Sequence, residues 1–221
     1  MTAPRLLLAG WHGADIARSH EVLTELLEAC RTHRPDVELL AVGPDPHAIT
    51  AQHGVTAVPI GDPITVDSAL ASASGVFVGG GPPWDDDQLT ARGGIASLLA
   101  FEGPGDFPRR WKVGLPAVLQ VALLAVMRGV PLHLHSVRLD AFDDAGARSL
   151  AGLLVRSAAT VSAADAGSAA RLVDAAARSE PLPVIEQPAA ALEVVGPLIP
   201  ATGGLPSLPL GRLRRRREKL A

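Results

Sequence analysis

The segment GVFVGGG, residues 75–81, is a short apolar run that passes directly into three consecutive glycines. The run is too short for a helix and is bounded by glycine, so it predicts a buried strand over residues 76–78. Glycine tolerates a positive φ and allows another part of the backbone, or a ligand, to approach closely. A buried strand that ends in such a turn is typical of a parallel α/β sheet.

Short apolar runs alternate with longer segments of helical periodicity on both sides of this segment. Further strands are predicted at residues 5–9, 37–42, 55–60, 131–135, 160–162 and 184–186. Helices are predicted at residues 16–34, 47–53, 65–73, 87–101, 115–128, 143–156 and 166–178. This alternation implies right-handed crossovers, and therefore an α/β, Rossmann-like fold whose mostly parallel sheet carries helices on both faces.

The chain of 221 residues divides into two parts by composition. Residues 1–195 hold all of the predicted strands and helices and are expected to form one domain. Residues 196–210 are rich in Pro and Gly, and six of the last ten residues are Lys or Arg. Residues 196–221 are therefore interpreted as a linker and a basic tail. The tail is suited to acidic lipid headgroups or another polyanion, but a solvated chain end explains the same charges.

The charge distribution argues against a nucleic-acid-binding domain. The net charge is −3, and the basic tail makes the remaining body more acidic than this total. A phosphate backbone requires a basic face, which the composition of the body does not predict.

Cys30 is the only cysteine, which excludes a disulfide within the chain and a zinc site built on cysteines. Its place on the apolar side of the first predicted helix indicates a core residue. No run reaches the roughly 18 apolar residues that span a bilayer, and residues 1–10 are too short for a signal peptide. The sequence therefore predicts a cytoplasmic protein without a transmembrane segment.

Ligands of open parallel sheets bind at the carboxyl ends of the strands. This rule selects the loops at residues 10–19, 43–46, 79–87, 136–143 and 163–168. The main-chain N–H groups of Gly79, Gly80 and Gly81 are candidates to cradle a phosphate or carboxylate, although a tight turn alone also requires glycine.

Short motifs follow the predicted strands in a fixed order. They are a glycine loop at residues 10–13, Gly-Pro-Asp-Pro at 43–46, His-Gly-Val at 53–55, the triple glycine at 79–81, Gly-Val-Pro at 129–131, residues 161–172 with Asp165 and Ser168, and residues 184–192 with Pro188 and Ala189. This order and spacing resemble the N-terminal half of the polysaccharide pyruvyl transferase family.

The resemblance implies a transferase that moves a pyruvyl group from phosphoenolpyruvate onto a sugar of a cell-surface glycan as a ketal. It also implies one half of a GT-B-like arrangement, so a partner chain or a homodimer is expected to supply the other half. It implies neither a cofactor nor a metal, and no residue is assigned to catalysis. The expected substrate-binding residues are Gly10, Gly13, Gly79, Gly80, Gly81, Arg138, Asp165 and Ser168.

One departure from the family concerns a missing guanidinium. Ala164 stands where the family carries an arginine before Asp165. A guanidinium is the natural partner of a carboxylate or phosphate, and Arg138 and Arg18 are the candidates to replace it.

Other departures leave two alternative functions open. Residues 16–20 differ from the family's first loop, the turn at residues 136–140 lacks glycine, and Gln187 replaces an aspartate. The first alternative is an inactive module that binds a sugar nucleotide, or another protein, in a glycan-assembly system. The second is the N-terminal half of a GT-B-type glycosyltransferase.

Three further groups each have two interpretations. The carboxylates of residues 85–87 suit a divalent cation, but a helix cap is favoured. His133 and His135 alternate along a strand and face one side of the sheet, where satisfied core or rim histidines are favoured over a metal pair. Asp165 and Ser168 also have the spacing of helix-capping residues.

Overall fold

The computed structural model describes residues 3–10, 17–80, 83–84, 117–141, 143–179 and 181–182. The strands in these ranges are β1 (Arg5–Ala9), β2 (Glu38–Gly43), β3 (Thr56–Pro59), β4 (Ala73–Gly79), β5 (Leu132–Val137) and β6 (Thr160–Ala163). The helices are α1 (Ala17–His33), α2 (Pro46–His53), α3 (Pro63–Ala71), α4 (Ala117–Arg128), α5 (Ala145–Ser157) and α6 (Ala166–Ala176).

The six strands form one parallel sheet in the order β3-β2-β1-β4-β5-β6. From β1 the chain builds outward through β2 to β3, crosses the sheet with α3, and then builds outward from β4 through β5 to β6. The strand order therefore reverses between β1 and β4, which makes this pair the topological switch point of the sheet.

Side chains of the sheet alternate between two apolar cores. Leu7 and Ala9 of β1 pack in the larger core with helices α3, α4, α5 and α6, whereas Leu6 and Leu8 pack in the smaller core with α1 and α2. Because successive side chains of a strand point to opposite faces, one apolar strand serves both cores. This arrangement confirms the predicted Rossmann-like fold with helices on both faces.

The predicted elements in the described ranges are confirmed, but several of their boundaries differ by up to three residues. The helix predicted over residues 65–73 ends at Ala71, and Ala73 already belongs to β4. The Ser72 N–H donates to the Ala69 carbonyl and closes the last turn of α3. The predicted helix at residues 87–101, the strand at 184–186, and the linker and tail at 196–221 lie outside the described residues.

Aspartates begin four of the helices. The carboxylates of Asp45, Asp62, Asp144 and Asp165 each accept a main-chain N–H from the first turn of α2, α3, α5 and α6. A side chain at this position satisfies donors that the helix itself leaves unpaired. The capping interpretation of Asp165 is therefore confirmed.

Cys30 lies fully buried in the smaller core, as its sequence position predicted. Burial raises the pKa of its thiol to about 11. The thiol is therefore protonated at neutral pH and contributes to packing as an apolar side chain.

The face of β5 opposite the larger core carries two buried histidines. His133 stacks on Phe77 of β4 with ring centroids 4.6 Å apart, and its Nδ1 lies 2.9 Å from the Thr160 hydroxyl. His135 is 3% exposed, and its buried Nε2 has no hydrogen-bond partner among the described residues. Both are core histidines, as favoured, but only His133 has the expected side-chain partner.

Burial lowers the pKa of the His133 and His135 imidazoles to about 4 each, so both are neutral in the folded protein above that pH. Free histidine has a pKa of about 6.5, so the unfolded chain binds more protons between pH 6.5 and 4. Stability is then lost as the pH falls through this window, by about 1.4 kcal/mol per pH unit for each histidine.

We expect His135→Leu and His133→Leu each to reduce this pH dependence by about half. At pH 7, His133→Leu should lower the free energy of unfolding, because Thr160 loses its partner, whereas His135→Leu should not, because its Nε2 is unsatisfied. Urea unfolding from pH 4.5 to 7.5 measures both effects. An unchanged slope in either variant contradicts the assignment of that imidazole as neutral.

Candidate functional site

The carboxyl ends of β1 and β4 bring two of the predicted glycines side by side. Ala9 pairs with Val78, so Gly10 and Gly79 end neighbouring strands, and the Gly10 N–H donates to the Val42 carbonyl. Gly80 follows with a φ of 68°, a conformation that favours glycine. Gly13 and Gly81 lie outside the described residues, so their part in the site stays a prediction.

Gly79 is required by the backbone of β5. It pairs with His135, and a Cβ at residue 79 would lie 2.3 Å from the His135 carbonyl oxygen. No side chain fits at that distance, because both groups belong to the paired sheet and neither is a flexible chain end. The first glycine of the triple glycine therefore has a structural role, which is independent of any ligand.

A cleft opens beside Gly79 and Gly80, between the ends of β4 and β5 and the start of α4, and Gly10 is not among the described residues that line it. Its empty volume, including the part open to solvent, is about 260 Å³. We call it the β4–β5 cleft, and among the residues that line it are Gly79, Gly80, Trp84, Val118, Ser136 and Arg138.

Main-chain hydrogen bonds join the loops that follow β4 and β5. The Trp84 N–H donates to the Arg138 carbonyl at 2.9 Å, and the Asp140 N–H donates to the Trp84 carbonyl at 2.8 Å. The two loops thus form one further parallel β-bridge beyond the ends of their strands, between Trp84 and Leu139. This bridge brings residues Trp84 and Arg138 to the same cleft.

Arg138 is the cationic residue among the described residues that line the β4–β5 cleft. Its side chain is exposed, and within the described ranges it makes no ion pair shorter than 4 Å. Its charge acts on Asp165, whose carboxyl lies behind the loop. The side chain of Arg18, the other candidate cation, is outside the described residues.

Asp165 and Ser168, at the start of α6, support the loop that carries Arg138. The Ser168 hydroxyl accepts the Leu139 N–H at 2.9 Å and donates to the Asp165 carboxylate at 2.9 Å. Arg171 donates to the Leu139 carbonyl at 2.8 Å, so side chains of α6 satisfy both main-chain polar groups of Leu139. Neither Asp165 nor Ser168 is among the described residues that line the β4–β5 cleft.

The same contacts set the charge state of Asp165. The main-chain N–H of Ser168 holds the pKa of the Asp165 carboxyl below its ordinary value, and the Ser168 hydroxyl and the charges of Arg138 and Arg171 act in the same direction. The carboxylate therefore stays ionised at neutral pH and remains an acceptor for the Ser168 hydroxyl.

Sequence reasoning did not include Trp84, Val118 and Ser136 among the site residues. Trp84 and Ser136 lie in the ranges 79–87 and 136–143 that the strand-end rule selected, although Ser136 belongs to β5, and no motif marked them as residues of the site. Val118 is an apolar residue of α4, and its place at the β4–β5 cleft depends on how that helix packs. The sequence contains no separate signal for such a contact.

No arrangement for a metal is present in the described part of the chain, where no three His, Cys, Asp or Glu side chains lie close enough to share an ion. His133 and His135 have no third ligand there. The carboxylates of residues 85–87 lie outside the described residues, so the choice between a cation site and a helix cap stays open for them.

Among the described helices, none has both the length and the apolar character of a bilayer-spanning segment. Comparison of the sequence with protein-family models and with curated proteins finds no match.

The contact between Ser168 and Leu139 yields a direct test. We expect Ser168→Ala to lower the free energy of unfolding by about 1–3 kcal/mol, because it leaves the buried Leu139 N–H without an acceptor. The Leu139 amide should also exchange its hydrogen faster than in the wild-type protein. Urea unfolding and amide hydrogen exchange measure the two effects.

Ser149→Ala is the matched control, since Ser149 is an exposed serine of α5 whose hydroxyl donates to the Ala145 carbonyl of the same helix. It should change the stability by less than about 0.5 kcal/mol. Unaltered exchange of the Leu139 amide in Ser168→Ala contradicts the assigned contact.

Proposed function

We propose that this chain is a polysaccharide pyruvyl transferase-like protein whose β4–β5 cleft binds the donor phosphoenolpyruvate. The observation that carries the proposal is an exposed Arg138, without an ion pair among the described residues, beside Gly79 and Gly80 at the carboxyl edge of a parallel sheet. A guanidinium binds a carboxylate or phosphate with paired hydrogen bonds, and glycines let an anion approach main-chain N–H groups.

The lining of the cleft favours a small anion with an apolar part. Phosphoenolpyruvate is a small dianion or trianion with one apolar end, and the cleft offers one cation beside the apolar side chains of Trp84 and Val118.

Arg138 also offers a replacement for the arginine that the family carries at the position of Ala164. The Ala164 N–H donates to the Val137 carbonyl at 2.9 Å, so residue 164 lies directly against the loop that bears Arg138. The Arg138 side chain therefore extends from a backbone position close to that of residue 164.

The proposed reaction joins two hydroxyl oxygens of one sugar to C2 of phosphoenolpyruvate. Inorganic phosphate leaves C2, the methylene carbon gains one hydroxyl proton to become a methyl group, and the second proton departs with the phosphate. In this scheme Arg138 and the glycine backbone orient the donor and balance its negative charge. The acceptor hydroxyls come from the side of the cleft that a partner chain or a second copy supplies.

An inactive binding module is the second candidate, and Ala164 favours it. Residue 164 is a buried alanine. The guanidinium that the family carries at this position therefore has no equivalent there. Such a module, bound to a sugar nucleotide or a protein of a glycan-assembly system, keeps the fold without the reaction. A cytoplasmic location and the glycosyltransferase alternative likewise stay predictions.

Arg138→Ala tests the proposal. We expect isothermal titration to show phosphoenolpyruvate binding to the wild-type chain and about tenfold weaker binding to the variant, the effect of one lost charge-assisted hydrogen bond. Arg148→Ala is the matched control, because Arg148 is an exposed arginine of α5 paired with Asp174. It should keep the wild-type affinity.

Two outcomes contradict the proposal. One is the absence of phosphoenolpyruvate binding by the wild-type chain, and the other is an equal loss of affinity in both arginine variants. Preferential binding of a sugar nucleotide over phosphoenolpyruvate would instead support the binding-module function.

A further inference from the structure

The alternation of side chains along β5 changes by one residue near its carboxyl end. Leu132 and Leu134 belong to the larger core, and so do Val137 and Leu139 further along the chain. Leu134 and Val137 are three positions apart, whereas neighbouring residues on one face of a regular strand are two positions apart. The register with β6 shifts at the same place. An extra residue of this kind is a β-bulge, which moves every following side chain to the other face.

Ser136 is the residue at which the bulge forms. Its φ is 50°, a left-handed conformation that residues with side chains rarely adopt. Its N–H donates to the Ser162 hydroxyl oxygen at 3.0 Å, and both serines are buried. The hydroxyl of β6 thus accepts a hydrogen bond that a regular ladder would have directed to a main-chain carbonyl.

The bulge decides the face on which Arg138 lies. If the side chains alternated regularly through residue 138, Arg138 would follow Leu132 and Leu134 into the larger core, where an unpaired guanidinium is strongly unfavourable. With the bulge, Val137 and Leu139 enter the core, and Arg138 lies exposed at the β4–β5 cleft. Because side chains alternate along a strand, His133 and His135 lie on the opposite face of β5.

We propose that Ser162 is a positioning residue, which holds the bulge at Ser136 and thereby places the Arg138 guanidinium for an anionic ligand group. Ser162 has no contact with the ligand in this scheme and acts through the backbone of residues 136–138. The inference rests on the proposed function in one respect, namely that Arg138 receives an anion.

Inorganic phosphate is the probe, titrated into the full chain and followed by isothermal titration. Ser162→Ala should weaken phosphate binding about tenfold, because Arg138 is no longer held at the cleft. Ser162→Thr retains the hydroxyl and should recover most of the affinity. A loss confined to stability, with no change of phosphate affinity, overturns the inference.

Thr160→Val is the matched control. Thr160 lies two residues from Ser162 on the same face of β6, and its hydroxyl bonds to His133 instead of the bulge. This variant should lose stability but bind phosphate within about twofold of the wild type. An equal loss of affinity in Thr160→Val and Ser162→Ala overturns the inference, because any damage to β6 would then have the same effect.

Two variants of the bulge residue decide the case if Ser162→Ala does not fold. Ser136→Gly favours the left-handed conformation and Ser136→Val opposes it, so the valine variant should bind phosphate more weakly than the glycine variant. Equal affinities overturn the inference.

The inference and the proposed function fail separately. Phosphate binding that depends on Ser162, without binding of phosphoenolpyruvate, supports the positioning role and contradicts the donor assignment. Phosphoenolpyruvate binding that depends on Arg138 but not on Ser162 supports the donor assignment and overturns the positioning role. Absence of binding of either anion by the wild-type chain contradicts both.

Discussion

The pairing of β1 with β4 is the contact on which the remaining architecture depends, because the order of the strands reverses there. Strands on either side of this pair are built outward in opposite directions, and right-handed crossovers then place α1 and α2 on one face and α3 to α6 on the other. All six strands run in parallel, so their carboxyl ends lie along one edge of the sheet. The site loops meet at this edge for that reason alone.

Close approach of main chains, more than contact between side chains, forms the β4–β5 cleft. Gly79 lies so near the His135 carbonyl that a Cβ has no room, and one bridge between Trp84 and Leu139 ties the two loops together. Ser168 and Arg171 satisfy the Leu139 peptide from behind. The loop after β5 is therefore held on both sides although it contains no glycine.

The alternation of side chains along β5 and the residue after it places the polar side chains in two different environments. His133 and His135 lie on the buried face, where desolvation keeps them neutral, and Arg138 lies beyond the bulge at an exposed edge. A permanent cation and two neutral imidazoles thus occupy neighbouring positions of one chain segment in different environments. The bulge at Ser136 is the change of register that separates them.

The sequence by itself determined the strands and helices in the described ranges, the parallel Rossmann-like class and the loops that form the site, because apolar periodicity, aspartate caps and glycine turns are local signals. It also placed Gly79, Gly80 and Arg138 in those loops. Tertiary structure alone decided that Gly79 is required by β5, that Asp165 and Ser168 contact Leu139, and that Trp84 and Val118 line the cleft. Each of these facts depends on the distance between segments far apart in the chain. Composition and spacing carry no record of such distances, nor of the one-residue shift that exposes Arg138.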